Sequence, residues 1–318
     1  MLRTHFRMAP PHPPPSQGSS LRHWVQLHLV VLAWGCTGVL GKLISLPAVE
    51  VVIWRTGMAS FGLAILARAL GASLRVSGPT ALRLLGSGLL VGLHWMLFFL
   101  SVQIGNVSMC MAALPTTMLW CTLLEPLLLP GHRLQKNELA VGSVMIGAVW
   151  LIYHVEFSHW LGFTAGLGAA LVGALFAVIN KRLVSRLHFA VISCYQMAGA
   201  CMAGFLAWPF FAHLSGLSWQ APQGWDFFYL LILSLVCTVG AYAGYLDVLR
   251  HMSIFVINVA YNLEPVYGIV LAALLFGDTE RMSAGFYAGA TVIMGTVLVL
   301  PWLSRALSRS RKPSPAGA

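Results

Sequence analysis

The sequence predicts an all-α membrane protein of ten transmembrane helices, arranged as two inverted five-helix repeats. Three observations carry that prediction. Hydrophobic residues make up 58% of the chain and charged residues only 9%, where a soluble protein has about 25% charged. The apolar runs are about 20 residues long, the length that crosses a bilayer as a helix, and not the alternating ten-residue strands of a membrane barrel. The basic residues stand singly or in pairs between those runs. The net charge of +10 therefore reads as a topology signal and not as a nucleic-acid-binding patch.

The elements follow in chain order. Residues 1–23 carry Pro10, Pro11, Pro13, Pro14 and Pro15 and read as a disordered cytoplasmic tail, without the compact apolar core of a signal peptide. The first repeat covers 24–153, with spans near 25–45, 50–70, 83–102, 106–129 and 136–153. The second covers 160–303, with spans near 161–180, 189–211, 227–246, 252–276 and 283–302. Residues 304–318 form a basic cytoplasmic tail. The six cysteines all fall inside apolar runs without CxxC spacing, so they read as reduced core residues.

Charge fixes the expected orientation. With the amino terminus inside, 16 of the 19 Lys and Arg residues fall on the cytoplasmic side. Only Lys42 and Arg281 fall outside, and Arg55 lies within the second span. Glu50, Glu156, Asp226, Asp278 and Glu280 gather on the outer side. Both termini are thus expected in the cytoplasm, with the protein in the cell's inner (plasma) membrane.

An internal repeat appears at the end of each half. Residues near Ile104 to Ile152 resemble those near Ser253 to Leu300. Each stretch has a long span with a central proline, Pro115 or Pro265. Each continues with a Gly-containing polar link and closes with a Gly-rich span. Five spans per half is an odd number, so the second copy inserts upside down. Proline-interrupted spans at matching positions of inverted repeats are the arrangement of alternating-access transporters.

Three blocks carry a family resemblance: WGCTGVLGK from Trp34 to Lys42, Arg55 in the second span, and NLEPVYGIVLAALLFGDTERMS from Asn262 to Ser283. With these the chain resembles the EamA type of the drug/metabolite transporter superfamily, over nearly all of Trp24 to Trp302. The first-repeat link departs from the family pattern, with His132 after Gly131 where an acid is usual, and with an unexpected Pro130. The resemblance implies a carrier of a small metabolite and leaves the substrate open.

Glu264 is the first candidate site residue, because a carboxyl group near mid-membrane faces protein or a water-filled cavity. Asn258, Tyr261, Asn262, Pro265 and Gly268 share an arc of the same helix. The structural alternative is polar glue between helices. His94 and Trp95 lie near mid-membrane in the third span. His94 is a candidate proton relay or a histidine bonded to a carbonyl, and Trp95 stacks on substrate or packs. Thr238, Tyr242 and Tyr245 form a stripe on the eighth span. Asn180 is a candidate gate residue at the end of the sixth. Arg55 reads either as a side chain snorkelling to the interface or as a partner of Glu50 or of an anionic substrate, and Lys42 reads similarly. The predicted substrate-binding set is Glu264, Tyr261, Asn262, His94, Trp95, Tyr242, Thr238 and Asn180. Spans one, three, four, six, eight and nine are expected to line a cavity, with five and ten as scaffold.

No catalytic residue, cofactor or metal site is predicted. The expected partners are a small-molecule substrate, the lipid bilayer, and a coupled proton or counter-substrate, with no nucleic acid. The chain has no Walker A sequence, so ATP does not supply the energy. The rivals are a passive channel, a membrane-embedded enzyme acting on lipid, and a haem protein using His28 and His94. Against an enzyme stand the single mid-membrane carboxylate and the absence of HExxH and Gly-x-Ser-x-Gly sequences.

Overall fold

The computed structural model describes residues 21–129, 136–183, 187–216, 218–252, 257 and 260–310. Among these residues all regular structure is helical. The helices are α1 (Leu21–Leu43), α2 (Ala48–Ala69), α3 (Gly78–Ile104), α4 (Val107–Leu128), α5 (Lys136–Val155), α6 (Trp160–Leu183) and α7 (Phe189–Ser215). Next comes α8, in three parts: Trp225–Leu231, a π-helical stretch Ile232–Gly240, and Ala241–His251. Then follow α9 (Glu264–Phe276) and α10 (Ala284–Ser310).

Local chemistry sets the breaks between helices. Asn106 caps α4, its side chain accepting from the Met109 amide at 2.8 Å, which satisfies one of the free N–H groups of the first turn. Pro115 sits in a 3₁₀ turn, Leu114–Thr116, that splits α4 into Val107–Ala113 and Thr117–Leu128. Gly277 ends α9 at φ 54°, a left-handed conformation that glycine adopts without steric cost.

Among the described residues, seven helices are long and apolar enough to cross a bilayer, α1 to α4 and α6 to α8. In α5 and α10 the apolar stretches are shorter, Ala140–Val155 and Ala284–Val299. The expected ninth span, 252–276, is not one helix among the described residues. The chain turns at Asn262 and Leu263, and α9 starts at Glu264 with Pro265 in its first turn. Proline fits there because its missing N–H would be unpaired anyway, whereas further along it would break an internal hydrogen bond. The 13 residues of α9 reach only about 20 Å, short of the ~30 Å hydrocarbon core. Asn258 and the polar link Gly131-His132-Arg133 lie outside the described residues.

The packing joins the two halves. α3 lies across α6 and α7, α2 across α7, α1 against α8 and α9, and α5 against α10. The α3–α7 crossing depends on Gly88 and Gly199. A Cβ on Gly88 would fall 2.3 Å from the Gln196 carbonyl oxygen, and one on Gly199 would fall 2.2 Å from that of Leu85. Backbone cannot yield as a side-chain tip can, so Gly88→Val is expected to cost at least the roughly 1–3 kcal/mol of ordinary overpacking. Size-exclusion profiles in detergent should show aggregated Gly88→Val beside a normal Gly147→Ala, whose new methyl meets nothing within 4 Å.

At one end of the bundle, carboxylates tie the links together. Glu280 is fully buried. It pairs with the Lys42 ammonium at 2.7 Å and accepts from the Val107 and Ser108 amides at 3.2 and 2.9 Å and from the Ser108 hydroxyl at 2.8 Å. Asp226 accepts from the Ser45 amide at 2.9 Å and from its hydroxyl. Glu50 accepts from the Trp208 indole at 3.1 Å and from the Gln220 amide. Glu156 accepts from the Ser283 amide at 2.8 Å. Below this clasped end lies the largest apolar cluster, which includes Ile44, Leu46, Val52, Phe99 and Val102. The far end differs on α4: all of Val107–Ala113 is buried, and none of Thr117–Leu128 is.

Candidate functional site

A cavity of about 830 Å³ opens below the clasped end. Its walls come from α1 (Trp34, Thr37), α2 (Arg55), α3 (His94, Trp95, Phe98), α4 (Leu114 to Cys121), α6 (Ala177) and α8 (Cys237 to Tyr245). The turn before α9 adds Tyr261 and Asn262, the start of α9 adds Glu264 and Pro265, and α10 adds Val297. The lining runs away from the clasp. On α8 it extends to Tyr245, 20 positions beyond Trp225, which is about 30 Å along a helix.

Each polar group is brought there by a local feature. The broken ninth element delivers Glu264 at a helix start, and Gly35 lets α1 approach it closely. A Cβ on Gly35 would lie 3.1 Å from the Glu264 carbonyl oxygen. The π-helical stretch of α8 presents Cys237 and Thr238 to the cavity. Such stretches are rare and often mark functional positions. The Thr238 hydroxyl donates to the Leu233 carbonyl at 2.9 Å, across the wider turn. It also accepts from Arg55 Nε and Nη2 at 3.3 and 3.2 Å.

Arg55 is 2% exposed. Its guanidinium lies over the Trp95 ring, 3.7 Å from the centroid, a cation–π contact strengthened by loss of water. Nη1 has no hydrogen-bond partner among the described residues. Glu264 also lines the cavity, and no ion pair joins it to Arg55. The same cavity is lined by a cluster of four rings. Trp34 stacks on Tyr261 at 4.5 Å and meets Tyr242 and Tyr245 edge-on at 6.3 and 5.9 Å. Tyr245 meets Tyr261 edge-on at 5.5 Å.

The structure brings Glu264, Tyr261, Asn262, His94, Trp95, Tyr242 and Thr238 to one cavity. It places Asn180 elsewhere: its side-chain oxygen accepts from Gln196 Nε2 at 2.8 Å, and Gln196 also reaches Ser87 at 3.1 Å. Asn180 thus ties α6 to α7 and α3. His94 Nδ1 donates to the Ala169 carbonyl at 2.7 Å, the carbonyl-bonded alternative, while its ring lines the cavity. The snorkelling reading of Arg55 and Lys42 is corrected. Arg55 is held inside by Thr238 and Trp95, and Lys42 is paired with Glu280. Glu50 is not the partner of Arg55, because Trp208 and Gln220 hold it. Span ten is not pure scaffold, since Val297 reaches the lining. His28 is bonded to the Tyr267 hydroxyl at 2.7 Å, and none of the six cysteines is in a disulfide.

Among the described residues, His23, Asp247 and His251 are the groups that could jointly hold a metal ion, with ligand atoms within 4.8 Å of one another. They lie at the far end. There His23 stacks on His251 at 4.2 Å, and Gln26 donates to Asp247 and to the Gly244 carbonyl, each at 3.1 Å. These contacts fasten α1 to α8.

The sequence profile of the EamA-like transporter family matches the chain twice, over residues 25–154 and 160–308. The chain belongs to the EamA-like transporter family. It is a multi-pass membrane protein of the drug/metabolite transporter superfamily. Every wall of the cavity described above comes from one of these two repeats, α1 to α4 from the first and α6, α8, the turn before α9, α9 and α10 from the second. A solved crystal structure superposes with TM-score 0.61 over 89% of this chain and 99% of its own, at 15% identity. At that identity it supports the fold alone. No curated protein matches the sequence.

Proposed function

We propose that this EamA family member is a secondary active transporter that moves a small polar metabolite, such as an amino acid or related compound, by alternating access. The observation that carries the reading is the 830 Å³ cavity between the two family repeats, with Arg55 and Glu264 in its wall. Charge within a membrane protein is costly, and here Arg55, buried with Nη1 unpartnered among the described residues, and Glu264, half-buried and in no ion pair with it, face one cavity where a ligand would pair them. In this reading ten spans form two inverted repeats and both termini are cytoplasmic, as the basic residues imply. The clasped end then faces outward, and the cavity faces the cytoplasm. Alternating access opens the carboxylate clasp and closes the far end, driven by a coupled proton or a counter-substrate. The test is counterflow into liposomes holding purified protein. Preloaded unlabelled substrate should accelerate uptake of labelled substrate with saturation. Linear, non-saturating flux would identify a channel instead.

A further inference from the structure

Arg55 and Glu264 present opposite charges to one space without meeting. Arg55 is committed on one side only. Thr238 takes Nε and Nη2, Trp95 covers one face, and Nη1 is left buried without a partner among the described residues. An orphaned guanidinium N–H is a donor waiting for an acceptor, and its planar fork suits a carboxylate. The same cavity is lined by the Glu264 carboxylate and by the four-ring cluster of Trp34, Tyr242, Tyr245 and Tyr261. Aromatic faces with a nearby carboxylate favour an ammonium group, while the rings repel a second anion.

We infer that the cavity binds a zwitterion, with its anionic group on Arg55 and its cationic amine between Glu264 and the aromatic cluster. A ligand of that kind pairs both charges at once. A purely anionic ligand would leave Glu264 facing its own charge, and a purely cationic one would leave Arg55 unpaired. The lining is otherwise poor in charge, so these two groups set the selection. Thr238 acts as a positioning residue, holding the guanidinium with Nη1 free.

The inference rests on the transporter reading but is tested by binding. Purified full-length protein is melted in the presence of neutral α-amino acids and glycine betaine. Each amino acid is run beside its methyl ester, which is cationic only, and its N-acetyl form, which is anionic only. A bound ligand raises apparent stability. The expected result is stabilisation by at least one zwitterion, with the ester and the N-acetyl form each weaker by about tenfold or more. In Arg55→Gln the ester and the parent should converge. In Glu264→Gln the N-acetyl form and the parent should converge. Arg55→Lys, which keeps the charge, separates loss of fold from loss of recognition. Equal binding of a parent and either blocked form in the native protein overturns the inference, as does the absence of any stabilising zwitterion. A zwitterion that binds but shows no counterflow would sink the transport reading and leave this one standing. Counterflow of a singly charged compound would do the reverse.

Discussion

Glu264→Gln should reduce transport in liposomes by about 100-fold while leaving the protein folded and inserted. Glutamine keeps the shape and the hydrogen-bonding capacity of the side chain but cannot ionise. A hydrogen bond to a charged group is worth about 1.5–3 kcal/mol, and each 1.4 kcal/mol is tenfold in affinity. Two roles for the carboxylate remain separable. If Glu264 carries the coupling proton, Glu264→Gln loses net uptake and its pH dependence but retains exchange of substrate for substrate. If it holds the amine of the substrate, both fall together, and the zwitterion inference expects this second pattern. Full, normally pH-dependent transport by Glu264→Gln would leave Glu264 as a packing residue and remove the central support for the proposed site.

Much of this site was legible because its signals are local. A carboxylate inside an apolar run needs no partner to be conspicuous, and Pro265 marks a break wherever the rest of the fold goes. The tyrosines and Thr238 on α8 showed a helical stripe. What escaped the sequence was set by distant segments. Arg55 lies seven residues into α2, within snorkelling reach of the interface by depth alone. Only the meeting of α2 with Trp95 on α3 and the π-helical stretch of α8 turns it inward. Glu280 read as one more outer acid, yet α1 and the first turn of α4 both close over it. Val297 carries no polar signal, so its place on the lining could come only from packing. Asn180 had the right chemistry on the right helix, but Gln196 claims it.

Removing the Glu280 carboxylate should release the clasped end. Glu280 joins Lys42 of α1, the first turn of α4 and the link after α9, with four donors on its two oxygens. The carboxylate is buried and sits at a helix start, where the amides and the dipole favour negative charge. Substituting alanine leaves those amides unpaired and frees Lys42. Breaking a buried pair costs about 3–5 kcal/mol. That free energy stabilises only the closed clasp, so its loss shifts the closed-to-open ratio by about tenfold for each 1.4 kcal/mol. A single cysteine at Tyr242, in a protein whose six native cysteines are replaced, reports the change. A membrane-impermeant thiol reagent applied from the clasped side should label it at least about tenfold faster in Glu280→Ala than in the parent. A cysteine at Ile146, on the outward face of α5, should stay unlabelled in both. Lys42→Ala should act in the same direction but less, because that ammonium side chain is 25% exposed and already partly served by water. An unchanged labelling rate in Glu280→Ala would show that the clasp does not gate the cavity, and that the apolar cluster beneath it holds the closed state by itself.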